Sequence, residues 1–292
     1  MNNFIDFARA HGLEIDPSRF YASDKIRRCG TIEKPRSLNG SYLWDGQRGW
    51  VFDWSGEART TWYEDPHAKP WTDEEKRQWA LKRQSANTLK DASYENASKV
   101  AESILAMAEL KEHNYLHIKG FPEEKGFVVE DKLLIPMRNV VTNKLQGYQE
   151  IKWNEPERKY EKKMQFGMRA KNAVYRFGSK TSEETWLVEG YATGLSLHHA
   201  FRSMGSDASV VVCFSANNLV SVADQIKGQR YVFADHDESK TGERSAQQTG
   251  LPWTMADEVG HDANDLHMSG GLFALVGKIM ELRRKVLTSV SA

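Results

Sequence analysis

Trp186-Leu187-Val188-Glu189-Gly190 and Tyr231-Val232-Phe233-Ala234-Asp235-His236-Asp237 decide the reading of this chain. Each is a short apolar run that stops in acid. Runs of this length, rich in β-branched and aromatic residues, read as buried strands. Acids placed where such strands end lie at the carboxyl edge of a sheet, where open α/β folds keep their ligands. Glu189 with Asp235 and Asp237 is a set of hard oxygen donors suited to Mg²⁺ or Mn²⁺ and to phosphate chemistry. In extended chain, residues i and i+2 point the same way, so Asp235 and Asp237 are expected to share one direction and His236 the other. Gly190 lets the chain turn closely into a helix and lets an anion approach the backbone.

Working outward, the pattern from Thr181 alternates strand and helix. Ser209-Val210-Val211-Val212-Cys213-Phe214 is a further strand, a helix carries Leu197, Phe201 and Met204 on one face, and others open near Leu219 and Gly242. Strands without polar alternation are those covered on both faces, so 181–292 is expected to be an α/β domain with a parallel sheet. Asp262-Ala263-Asn264-Asp265 adds an acid pair, expected in a loop ahead of a last helix from Gly271 to about Leu287. Clustered carboxylates repel one another, and a divalent cation relieves that repulsion. The metal candidates are therefore Glu189, Asp235, Asp237, Asp262 and Asp265.

Upstream the chain changes character. Residues 1–70 read as a small β-rich module for a template or partner, with Ser41-Tyr42-Leu43-Trp44, Gly49-Trp50-Val51-Phe52 and Thr60-Thr61-Trp62-Tyr63 as strands broken by Asp45-Gly46 and Ser55-Gly56. The tryptophans of 44–79 are expected in the core. Thr72-Asp73-Glu74-Glu75 is a capping box, and 71–112 reads as a helical connector with breaks near Asn87 or Asn96. Residues 113–180 read as β again, with strands at Tyr115-Leu116-His117-Ile118, Gly126-Phe127-Val128-Val129, Leu133-Leu134-Ile135-Pro136-Met137 and Gly147-Tyr148-Gln149-Glu150-Ile151-Lys152.

The formal net charge is zero but unevenly spread. Residues 151–180 hold nine Lys/Arg against three Glu, and 181–292 hold nine Lys/Arg against fourteen Asp/Glu. A basic segment ahead of an acidic one suits a protein that leads a polyanion toward a metal site. The candidate phosphate contacts are Lys152, Arg158, Lys159, Lys162, Lys163, Arg169 and Lys171, with Gly190 and Lys240 beside the acids. Trp153, Tyr160 and Phe166 are interleaved and suited to stacking on bases.

Two cysteines, Cys29 and Cys213, cannot build a disulfide framework or a four-cysteine zinc ribbon, so no zinc is expected. His261 and His267 flank the Asp262/Asp265 segment without a thiol to support them. No apolar run is long enough to span a bilayer, and Met1-Asn2-Asn3-Phe4-Ile5-Asp6 has neither a basic nor an apolar leader pattern. A cytoplasmic setting with no membrane partner is expected.

Taken together, Glu189-Gly190, Asp235-x-Asp237 and Asp262/Asp265 resemble the Toprim domain of bacterial-type primases, topoisomerases and some nucleases. Leu187-Val188-Glu189-Gly190-Tyr191-Ala192-Thr193-Gly194-Leu195-Ser196, Asn217-Asn218-Leu219 and Asp262-Ala263-Asn264-Asp265-Leu266-His267 resemble the Toprim primases of phages and plasmids. Leu134-Ile135-Pro136-Met137 and Gln149 are similar to the domain that precedes Toprim there. The resemblance implies a Toprim-type sheet and synthesis of short RNA primers by metal-dependent nucleotidyl transfer. It implies single-stranded DNA and ribonucleoside triphosphates as partners, with a separate replicative helicase or polymerase. It implies catalysis by Glu189, Asp235 and Asp237, with Mg²⁺ or Mn²⁺. The chain lacks that family's zinc ribbon and its Gly-x-x-x-x-Gly-Lys-Ser/Thr P-loop, so a stand-alone core is expected. A Toprim nuclease and a non-catalytic single-strand-binding accessory are the competing readings.

Overall fold

The structure, a computed structural model, describes residues 3–54, 60–65 and 70–290. It is mixed α/β and divides into two compact units, Met1–Gln84 and Ser85–Ala292. The Ser55-Gly56 break lies outside the described residues. Among the described residues no helix is long and apolar enough to cross a membrane.

The first unit is an antiparallel sheet in the order β1 (Leu13–Glu14), β2 (Ser23–Thr31), β3 (Gly40–Trp44), β4 (Arg48–Asp53), β5 (Thr61–Glu64). The Asp45-Gly46 hairpin forms as expected: Asp45 Oδ1 accepts from the amides of Gln47 and Arg48, and Gly46 takes φ 107°. A short N-terminal helix absent from the sequence reading, α1 (Asn3–Ala10), lays Phe4 against Tyr42, Trp44 and Tyr63, with ring centroids 4.7–6.2 Å apart. Period-two alternation then fixes the other face. Trp44 is buried as expected, but Trp54 and Trp62 are 52% and 63% exposed, which corrects the expectation that this cluster is all core.

Helix α2 (Asp73–Ala106) is unbroken through Asn87 and Asn96. Its start is the expected capping box, with Glu75 Oε2 accepting from the amide and hydroxyl of Thr72 and the Thr72 hydroxyl accepting from the Glu75 amide. Two asparagines cost only a few tenths of a kcal/mol each in a helix, too little to break one this long.

The second unit carries a sheet whose long path runs β10 (Lys159–Met164), β9 (Leu145–Asn154), β8 (Lys132–Asn139), β11 (Ala173–Phe177), β13 (Ser209–Val212), β12 (Glu184–Val188), β14 (Gln229–Ala234), β15 (Trp253–Met255). Beside β8 lies β7 (Gly126–Val129), paired in turn with β6 (Glu109–Lys111). Tyr115–Ile118, expected as a strand, is the helix α3 (Asn114–Ile118) instead. The His113 ring caps it by accepting from the Tyr115 amide, a local bond that competes with strand pairing.

β13, β12, β14 and β15 are mutually parallel. Helices α4 (Tyr191–Ser203), α5 (Ala216–Ala223) and α6 (Thr241–Gln248) follow β12, β13 and β14 in turn, and α7 (Ala263–Val290) closes the unit. Trp186, Val188, Val210, Val212, Tyr231 and Phe233 pack in one core with Leu195 of α4 and Leu275 of α7. Leu187, Val211, Cys213 and Val232 pack in another with Leu219 of α5 and Ala246 of α6. Apolar strands covered on both faces are what the run composition predicts, and each fully buried large side chain contributes about 1.5–3 kcal/mol. Helix α7 opens at Ala263, capped by Asp262, and kinks at the non-helical Gly271 (φ 68°, ψ 178°); the segment after the kink is the last helix expected from Gly271.

Candidate active site

The strand order places the acids. From β12 the chain crosses by α4 to β13 on one side; from β14 it crosses by α6 to β15 on the other. The carboxyl ends of β12 and β14 therefore flank a point where the winding reverses, the place where open α/β sheets keep their ligands. Glu189 is the first residue after β12 and Asp235 the first after β14.

Asp235 Oδ1 is shielded from solvent and has no hydrogen-bond partner. Burial, then the charges of Asp262 and Glu189, push the Asp235 carboxyl up to about 8, with Lys162 opposing them. Burial also raises Glu189, followed by the charge of Asp237, and Lys162 again opposes. Four carboxylates and one lysine thus act on one another electrostatically.

Asp237 is placed differently from the sequence expectation. β14 ends at Ala234, and Asp237 turns onto the start of α6, accepting from the Thr241 amide (3.1 Å), the Gly242 amide (2.9 Å) and the Ser239 hydroxyl. Burial raises its carboxyl, but these donors outweigh it and hold the group below the usual range. Gly242 is obligatory here: a Cβ on it would stand 2.2 Å from the backbone oxygen of Asp235. Lys240 is the residue before α6, in left-handed backbone at φ 56°.

Asp262 and Asp265 open α7 rather than lying in a loop. Asp262 Oδ1 accepts from the amides of Asn264 (2.6 Å) and Asp265 (3.0 Å), and Asp265 Oδ2 accepts from the Asp262 amide (3.0 Å). This is a reciprocal cap, and its Asp-x-x-Asp spacing was a readable signal. Asp262 Oδ2 in addition accepts from the Thr193 hydroxyl (3.0 Å), tying α4 to α7. Buried Asn264 donates to the Lys119 carbonyl (2.8 Å) and to Ser196 Oγ (3.1 Å). Thr193, Ser196 and Asn264 stand inside the segments quoted for the resemblance but were given no role there. Asn218 also supports the frame, donating to the carbonyls of Ala173 and Cys213 and accepting from the Asn172 amide.

The basic segment separates by strand face. Lys162 lies opposite the buried Ile151 and on the face of Tyr160; its Nζ is 5.7 Å from the centroid of the Tyr115 ring. Lys159, Glu161 and Lys163 alternate onto the other face. There Lys163 pairs with Glu161 (2.5 Å), Lys159 with Glu157, and Lys152 with Asp131 (3.6 Å). Arg158 occupies the β9–β10 turn at φ 48°, Arg169 lies 5.8 Å over Tyr94, and the Lys171 carbonyl accepts from Gln146. Tyr160 packs on the core, whereas Phe166 is 99% exposed. His267 lies 3.3 Å from Ser196 Oγ and His261 3.4 Å from Glu258, so neither faces the acids as a pair.

Among the described residues no three carboxylate, imidazole or thiol groups stand as a ready-made metal cage. The donor chemistry nevertheless fits a hard divalent cation. The Asp235 oxygen is orphaned, Lys162 is set against four carboxylates, and capped Asp237 and Asp262 retain lone pairs.

One pH effect follows. Folded Asp235 holds its proton to about 8, whereas an unfolded aspartate releases it near 3.8. The native state binds more protons between those values, so stability falls as pH rises through them, at a limiting slope of about 1.4 kcal/mol per unit. Melting curves in chelator from pH 5 to pH 8 should show a declining Tm, and Asp235→Asn should flatten the decline. An equal slope in both proteins would refute the assignment.

No family model and no curated protein matches this chain. Among solved structures, the DnaG catalytic core overlays at a TM-score of 0.37 with 14% identity, over 51% of this chain and 52% of that one. The overlay is weak and spans about half of each chain.

Proposed function

We propose that the second unit is a Toprim-type nucleotidyltransferase that makes short RNA primers on single-stranded DNA. One observation carries the reading: Glu189, Asp235, Asp237 and Asp262 act on one another at the carboxyl edge of parallel strands, with an unpartnered oxygen among them and Lys162 opposing their charge. Mg²⁺ or Mn²⁺, when bound, supplies charge neutralisation on the phosphates. Glu189 and Asp235 are the residues to hold it, with Asp237 and Asp262 fixed beside them by their caps. Position and neutralisation supply most of the barrier reduction in such a transfer. Glu189, its carboxyl raised by burial, suits acceptance of the attacking 3′-hydroxyl proton. Lys162 supplies positive charge toward the phosphates, and exposed Phe166 offers a ring to a template base. A separate helicase or polymerase would open and extend the template.

The test is a gel assay with single-stranded DNA, labelled ribonucleotides and Mg²⁺ or Mn²⁺. New short labelled products are expected. Shortened template instead would indicate a nuclease using the same acids, and binding without either product a non-catalytic accessory. Lys162→Ala should lower product formation on the order of tenfold or more, the usual loss for one positioned charge at a phosphate. Unchanged synthesis would remove Lys162 from the site.

A further inference from the structure

The first unit presents a second surface that the acid site leaves unused. One face of its sheet is filled by Phe4, Tyr42, Trp44 and Val51. On the opposite face the register sets Trp50 beside Trp62, and Ser41 between Arg28 and Phe52. Trp54 lies against this face. Its indole N–H donates to Ser41 Oγ (2.6 Å), its ring centroid is 4.6 Å from that of Phe52, and the Arg28 guanidinium lies 4.8 Å over it. Arg28 donates to the same hydroxyl (3.0 Å) and to the Leu38 carbonyl (3.4 Å). Ser41 is only 2% exposed, so a buried hydroxyl holds the indole and the guanidinium in place while Trp54 and Trp62 stay more than half exposed.

We propose that this face binds single-stranded nucleic acid by stacking bases on Trp54 and Trp62. With its polar edge already satisfied, the Trp54 ring offers flat apolar surface and little else, which suits a base of any identity, and Trp62 adds a second exposed ring. Arg28 adds a planar cation within the stack. Arg28 seats a cation on the Trp54 ring, and the chain that carries it is basic, with Lys25, Arg27, Arg28, Lys34 and Arg36 against Glu33 alone between positions 25 and 36. Aromatic rings beside clustered cations on an open sheet are the combination that single-strand binders use, and a duplex hides the base faces they need. The binding is independent of the carboxylates and needs no metal.

The experiment is fluorescence anisotropy of the full chain with labelled twenty-nucleotide dT, rU and duplex probes, in chelator, at several salt concentrations. Single strands are expected to bind and the duplex to bind far less. Trp54→Ala with Trp62→Ala should weaken single-strand binding at least about tenfold, the scale of losing one stacked base. The paired phenylalanine variants should recover most of it, because a ring remains. Far-UV circular dichroism and Tm of the alanine variant should match the parent, since both rings are outside the core. Comparison of dT with rU decides whether the occupant is DNA or RNA. Parent-like binding by the folded alanine variant, preference for the duplex, or no binding by the parent overturns the proposal. Failure of primer synthesis would instead appear as absent labelled products with this binding intact.

Discussion

Glu189→Gln is expected to abolish nucleotide joining and to leave Tm close to that of the parent. The substitution keeps the side chain's shape and removes the negative charge, the metal affinity and the proton acceptor together. Because burial already disfavours the Glu189 charge, folding loses nothing when that charge is removed. Losses of a charged group acting in the transition state run to about 10²–10³-fold or more, so product should fall below detection in the gel assay. Retained synthesis by the variant would overturn the mechanism. Lost synthesis with a collapsed Tm would make Glu189 a structural residue.

Gly242→Ala should be nearly as damaging by another route. Its Cβ would stand 2.2 Å from the Asp235 oxygen and 3.1 Å from the Asp235 backbone nitrogen and carbon, atoms that cannot rotate away. The start of α6 must move off the end of β14, which pulls the Thr241 and Gly242 amides from Asp237. Overpacking of this kind costs about 1–3 kcal/mol and a lost cap about 1 kcal/mol more. Urea unfolding should report a loss in that range, and synthesis should drop with it. A parent-like midpoint would mean that α6 tolerates the shift and that its placement is not tightly tied to Asp235.

The parallel core was legible because its strands are apolar on both sides and end in acid, a pattern set by burial alone. Glu189 and Asp235 were legible for the same reason. Asp237, Asp262 and Asp265 were found as acids, but their helix caps were not foreseen. Residue type marks a carboxylate, whereas its hydrogen bonds depend on where the next helix begins. The strand expected at Tyr115–Ile118 failed because a ring cap at His113 favoured a turn of helix that periodicity cannot see. The basic segment looked like one electropositive surface in the sequence. Strand alternation sends Lys162 one way and sets Lys159 and Lys163 the other, where Glu157 and Glu161, two residues away along the chain, pair with them. Trp54 and Trp62 were expected inside because large rings usually are, and only the pairing register shows which face they take.

The three helix starts around the acids have an electrostatic consequence. Glu189 leads into α4, Asp237 caps α6 and Asp262 caps α7. The amino end of a helix carries about half a positive elementary charge. Fixed backbone dipoles therefore stand in for part of the missing counter-ion. Under the proposed function, three of the four acids are placed at helix starts by the fold itself, whereas some small domains fold only on their metal. On that proposal, a hard cation could come and go without the fold depending on it, as turnover at phosphate would require.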